Sequence, residues 1–296
     1  MRFTTTLLFS LFWVLSSYAQ EFGTHWVSYP FYNDSTEVLF RKVYRLNDTP
    51  QEAYISMASC GNVRLYVNER NVTGSIIYEG TKDNAIIGHT FNITPLLHKG
   101  DNVIAIWYAP KTGESTSKQL SLDFYGNSTD SLSFYHKADG TWWCKKLTDC
   151  CYGEKEKFDN RKYDNEWKAA DYHSSNWIHP SGASTYDKTY PLINQTPLQC
   201  KNKLTSLLTP IETYQDSLGY HVDFERPFRG TIRLTIRGAH KGSSVYINGN
   251  EYICSGEMDE QAFYRFHLEW QHSFTINWGE GFKHSCITNI EGLEIE

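Results

Sequence analysis

Between residues 62 and 67 apolar and polar positions alternate. Val63, Leu65 and Val67 fall on one side and Arg64 and Tyr66 on the other, the period-two pattern of a half-buried strand. Asn68, Glu69, Arg70 and Asn71 are turn formers and end it. Further on, Phe91-Asn92-Ile93-Thr94-Pro95-Leu96-Leu97 leads through a polar turn at 98–102 into the unbroken apolar run Val103-Ile104-Ala105-Ile106-Trp107-Tyr108. That run predicts a strand buried on both faces. Further strands are predicted at 38–46, 53–58 and 120–125, and a first sandwich closes near residue 128.

The pattern resumes at 219–224 and 228–238, where Ile232, Leu234 and Ile236 alternate with Arg233, Thr235 and Arg237. Residues 244–250 are a strand followed by an Asn248-Gly249 turn, a strong hairpin signal, and they echo 65–71. The separation of the two echoes is too large for a solenoid, which predicts two related sandwiches. Strands at 264–268, 273–278 and 292–295 would complete the second. The fold class is therefore all-β, with two jelly-roll, galactose-binding-like β-sandwich domains at 20–190 (with an extension) and 211–296, joined by a linker at 191–210.

Composition agrees with that reading. The 296 residues include twenty Tyr, sixteen Phe and nine Trp, types that favour sheet over helix, and the apolar fraction supports sizeable cores. Residues 1–19 read as a cleavable secretory signal: Arg2, then a short apolar stretch at 7–15, then Ser17-Tyr18-Ala19. The apolar stretch is too short for a membrane span, and no cysteine follows Ala19 to carry a lipid, so the expected location is secreted or periplasmic. Removal of that segment takes away Arg2 and moves the formal charge from −6 to −7. This mild acidity disfavours nucleic acid as a partner.

Seven cysteines (Cys60, Cys144, Cys150, Cys151, Cys200, Cys254, Cys286) in an exported chain permit disulfides, and the odd number leaves at least one thiol unpaired in a monomer. Neither a CxxC pair nor a zinc-like His spacing occurs near the 144–151 cluster. Six N-x-S/T triplets, at Asn33, Asn47, Asn71, Asn92, Asn127 and Asn194, mark segments expected at the surface.

Several stretches resemble the N-terminal ancillary domains of bacterial α-L-rhamnosidases. Arg41 and Lys42 match a "fRk.f.l" strand. The segment 65–69 matches "lyvNG", and 91–94 with Leu97, Gly100 and 102–106 matches "yDvT.lL..G.NviAv". Asp139 to Trp142 resemble "D.sW", while Gly153-Glu154 and Phe158-Asp159-Asn160-Arg161 resemble a "GE.yDaR" motif with a longer interval between its halves. Trp167 and Trp177 follow at fitting positions, and 222–238 is similar to the opening of the family's second sandwich. The family's general acid and base lie in a helical barrel, and these 296 residues contain no long 3.6-period segments from which one is built. The resemblance thus implies an ancillary module without catalysis.

A pyranose presents an apolar C–H face that stacks on an aromatic ring and a rim of hydroxyls that seeks polar partners. The carbohydrate-binding candidates are Trp143, Tyr152, Glu154, Asp159 and Arg161. Glu154 and Asp159 are also the nearest pair for an inverting glycosidase, although Asp159 and Arg161 would equally form an internal ion pair. Asn33, Asp34 and Glu37 are candidates for a structural calcium site; no other cofactor is implied. The expected function is non-catalytic carbohydrate binding. The alternatives are a docking accessory module, for example for an exported glycoside hydrolase, and a small glycoside hydrolase.

Overall fold

The structure, a computed structural model, describes residues 25–31, 37–73, 81–82, 85–110, 118–130, 132–147, 155–183, 192–195 and 204–295. In chain order the first strands are β1 (Trp26–Ser28), β2 (Val38–Leu46), β3 (Glu52–Ser59), β4 (Asn62–Val67), β5 (Arg70–Asn71), β6 (Thr81–Lys82), β7 (Ala85–Asn92) and β8 (Gly100–Ala109). Then come β9 (Gln119–Asn127), β10 (Ser133–Lys137), β11 (Trp143–Lys146), β12 (Lys157–Asp159), β13 (Ser181–Ala183), β14 (Leu192–Gln195), β15 (Leu204–Leu208) and β16 (Glu212–Gln215). The last are β17 (Tyr220–Arg237), β18 (Ser244–Ile247), β19 (Asn250–Ile253), β20 (Asp259–Ala262), β21 (Glu269–Trp278) and β22 (Ile287–Ile295). Helix among the described residues is confined to short 3₁₀ turns such as Asn165–Lys168, so the chain is all-β.

The strands form three sheets. An eight-stranded sheet runs β13-β1-β9-β3-β7-β14, with β10 on β9 and β6 on β7; a five-stranded sheet runs β11-β2-β8-β4-β5. The third, nine-stranded, runs β12-β19-β18-β21-β17-β22-β15, with β16 and β20 on β17. Between the first two sheets lies a core of Ile55, Leu122 and Phe124 from one side and Phe40, Leu65, Ile104 and Ile106 from the other. Alternation does the rest: the opposite faces of β2, β4 and β8 present Leu39, Tyr66, Val103, Ala105 and Trp107 outward.

That outward face is covered as well. Phe158, Trp167 and Trp177 of the 157–178 segment pack on it together with Ile232, Leu234 and Phe274 of the nine-stranded sheet, in one continuous apolar cluster. β8 is therefore buried on both faces, as its unbroken apolar run predicts. β4 was expected to be half-buried, and here the structure differs: Arg64 and Tyr66 are buried too, because the second half of the chain lies over them.

Several family-like residues turn out to be clamps. The Arg41 guanidinium donates to the carbonyls of Ala169 (2.6 Å) and Tyr172 (3.2 Å) and to the Ser174 hydroxyl (2.7 Å), tying the 169–174 segment to β2. Lys42 donates to Asp139 and Thr141, and Trp142 is fully buried in the first core. A Cβ on Gly230 would lie 1.9 Å from the Leu293 carbonyl oxygen; only glycine lets β17 pair with β21 and β22 at once at that point.

Other expectations need revision. Strands β10, β11 and β13 extend the first two sheets well past residue 128. The two runs at 219–238 are one 18-residue strand, β17, with a register shift between Asp223 and Phe228. The linker span contains β14, parallel to β7, and β15, paired with β22. Finally, 264–268 is a bend and not a strand, for a reason that belongs to the site. Among the described residues no helix is long and apolar enough to cross a membrane.

Candidate functional site

Where the three parts meet there is a cleft of about 580 Å³. β4 and β8 contribute Arg64, Tyr66 and Trp107, the segment after β12 contributes Asn160, Arg161, Tyr163 and Lys168, and the second half of the chain contributes Lys241, Tyr252 and, from 255–265, Ser255, Glu257, Asp259, Glu260, Gln261, Phe263 and Arg265. Its aromatic members form a mesh. Trp107 stacks on Tyr163 at 5.0 Å and 24°, and Phe158 stacks on Tyr252 at 5.9 Å behind them. Tyr163 and Phe263 are the half-buried rings of the lining.

The wall is shaped by a buried carboxylate. Glu156 accepts from the backbone N–H of Arg265 (2.9 Å) and of Phe266 (3.2 Å), so these donors have no need of a neighbouring strand and the chain bends at 264–268. Arg265 is buried with its guanidinium 3.3 Å from the Phe158 ring centroid, and it donates to the Phe263 carbonyl at 3.0 Å. Burial pushes the Glu156 carboxyl up, opposed by the charge of Arg265 and the two backbone N–H groups. Arg64 in turn donates through Nε (3.2 Å) and Nη2 (2.8 Å) to the Arg265 carbonyl and lies over Trp107 and Phe266.

Two of the acid groups in the lining, Glu260 and Asp259, are engaged. Glu260 accepts from Ser255 N–H (2.8 Å), Gly256 N–H (2.9 Å), Asn160 Nδ2 (2.9 Å) and the Tyr252 hydroxyl (2.9 Å). Burial raises its pKa, but these donors outweigh it and hold the carboxyl below the usual glutamate value. Asp259 accepts from Arg237 at 2.6 Å. A general acid needs an accessible carboxyl held protonated, and Glu260 is the reverse of that.

Among the residues singled out from sequence, Arg161 lines the cleft. Asp159 sits behind it, accepting from Arg161 Nε (2.8 Å) and Nη2 (2.7 Å); these bonds are the main reason that its carboxyl lies below the usual range. Trp143 lies elsewhere, on the five-stranded sheet at β11, with its ring 4.0 Å from that of His179. Glu37 is buried, with its carboxylate accepting from Trp107 Nε1, so it faces the interior rather than a loop cation. Tyr152, Glu154, Asn33 and Asp34 lie outside the described residues. Among the described residues no group of three or more His, Cys, Asp or Glu could hold a metal ion.

Sequence reasoning did not single out Arg64, Tyr163, Lys168, Lys241, Phe263 or Arg265. One signal was present: Tyr163 and Lys168 follow within seven residues of Arg161. For Arg64 there was none, since alternation placed it on a solvent face.

With this geometry established, comparison with solved structures returns one enzyme class first. The α-L-rhamnosidase of Dictyoglumus thermophilum superposes with a TM-score of 0.78 at 17% identity over 93% of this chain, and that of Aspergillus terreus with 0.77 at 14% over 93%. The Streptomyces avermitilis enzyme, solved with L-rhamnose, gives 0.74 at 17% over 89%. Its fold is that of a stretch of the α-L-rhamnosidases. The chain spans 36%, 36% and 29% of those three proteins, a partial likeness. No family model and no curated protein sequence matches it.

Proposed function

We propose that the chain is an exported, non-catalytic carbohydrate-binding module whose ligand occupies the cleft between the five- and nine-stranded sheets. The cleft itself carries the reading. Its volume falls within the roughly 300–1,000 Å³ of small-molecule sites, and it sets the half-buried rings of Tyr163 and Phe263 among Asn160, Arg161, Lys241 and Gln261. An aromatic face for the C–H side of a pyranose beside amide and cationic donors for its hydroxyls is what such a ligand requires. The sugar enzymes that share the fold support the ligand class, and the signal-like pattern at 1–19 supports export. The engaged state of Glu260 and Asp259 supports binding without hydrolysis.

Isothermal titration of the purified chain against mono- and oligosaccharides tests this. The expected affinities lie between about 10 μM and 1 mM, and Tyr163→Ala should abolish binding while leaving the fold intact. If no sugar on a broad panel binds at millimolar concentration, the reading fails. A docking role would then take its place, favoured by the exposed apolar side chains of Leu204, Leu207, Ile211 and Leu218 along 204–218.

A further inference from the structure

The cleft carries more positive charge than a neutral sugar needs. Five cations line it (Arg64, Arg161, Lys168, Lys241, Arg265) against three acids (Glu257, Asp259, Glu260), in a chain whose overall formal charge is −6. Two of the cations are matched from behind, Arg161 by Asp159 and Arg265 by Glu156. Two of the acids are engaged by other groups, Asp259 by Arg237 and Glu260 by neutral donors. Left without a carboxylate hydrogen-bonded to them among the described residues are Arg64, Lys168, on which Glu69 acts from a distance, and Lys241; the remaining acid of the lining, Glu257, is exposed.

Arg64 is the decisive one. It is 6% exposed, and among the described residues its hydrogen bonds go only to a carbonyl oxygen, through Nε and Nη2. Its charge reaches the Glu156 carboxylate, but among the described residues no carboxylate accepts a hydrogen bond from it, and a buried guanidinium without such a bond is costly. Its remaining nitrogen, Nη1, has no hydrogen-bond partner among the described residues, in the wall of an open cleft. Lys168, half-buried, donates to the neutral Asn165 oxygen at 2.7 Å, and Lys241 forms no ion pair among the described residues.

We propose that the ligand of this cleft is an acidic glycan, one whose sugar ring bears a carboxylate or a sulfate ester that accepts from Arg64 with Lys168 and Lys241 around it. The inference rests on the carbohydrate reading above and gives it a substrate class. A guanidinium presents paired N–H donors that fit either anion, while Tyr163 and Phe263 hold the ring.

Titrations with matched pairs test it. Tetragalacturonate is compared with its fully methyl-esterified form, and a sulfated galacto-oligosaccharide with its desulfated form. The charged member of one pair should bind about tenfold tighter than its neutral partner, and which pair responds separates carboxylate from sulfate. Lys241→Glu, an exposed change, and Arg64→Gln, checked for folding by its urea transition, should each remove most of that tenfold preference. Equal affinity for charged and neutral members overturns the inference and leaves carbohydrate binding standing. A charge preference that survives in both variants also overturns it, and a blank for every sugar removes both.

Discussion

Glu156 shows how much of the cleft depends on single side chains. Its carboxylate accepts from the Arg265 and Phe266 N–H groups and interacts with the charge of the Arg265 guanidinium, in a place with almost no solvent. Glu156→Gln would turn one acceptor into a donor opposite those N–H groups and leave Arg265 without its counter-charge. The expected loss is about 3 kcal/mol, read as a lower urea midpoint, together with loss of sugar binding because the 264–268 bend forms one wall. None of this was legible beforehand. An arginine between Tyr264 and Phe266 reads as the polar position of an alternating strand, and only the carboxylate from a distant segment makes it a buried bend. The Asp159–Arg161 pair was legible, because two opposite charges two residues apart beside a turn have few other partners.

At the scale of elements, the two hairpins that the sequence pattern paired are built alike. Asn68 (φ 47°) follows β4 and Asn248 (φ 46°) follows β18. Asn68 N–H donates to the Val103 carbonyl and its Oδ1 accepts from Val103 N–H at 2.9 Å. Asn248 does the same with Thr275, at 2.8 Å for both bonds. Each side chain thus adds one more rung to a ladder that the turn would otherwise end, while Gly249 at φ 82° completes the tight second turn. Asn68→Ala and Asn248→Ala should each cost about 1–2 kcal/mol in thermal or urea unfolding, more than an ordinary loop asparagine. Asn71 and Asn92 show a related use of the N-x-T triplet: each Oδ1 accepts from the N–H two residues on, at 3.0 Å, an Asx turn. Local turn chemistry and strand periodicity act over a few residues, so they can be read from sequence. β14, β15 and β12 join sheets far from their neighbours in the chain, so they cannot.

Across the whole molecule, the apolar cluster on the outer face of the five-stranded sheet runs without a break into the nine-stranded sheet. Trp167 lies at its centre, 1% exposed, edge-on to Tyr66 and stacked with Trp177. Two sandwiches joined by a mobile linker would unfold separately. This chain should unfold in one transition, and Trp167→Ala should lower its stability by about 3–5 kcal/mol with tryptophan fluorescence and far-UV circular dichroism still moving together. The same packing fixes the cleft, since its walls come from both halves. The segments that resemble α-L-rhamnosidase motifs mostly hold this arrangement together, as Arg41, Lys42, Trp142, Trp167 and Trp177 do. Among the described residues of those motifs, Tyr66, Asn160 and Arg161 reach the cleft, which is why resemblance conveyed the fold far better than the site. Whether the cleft binds a sugar is decided by a glycan array probed with the intact chain and with Tyr163→Ala and Trp143→Ala. Specific binding should disappear in Tyr163→Ala and persist in Trp143→Ala; the opposite pattern, or a blank array, would mean that the cleft is not a sugar site.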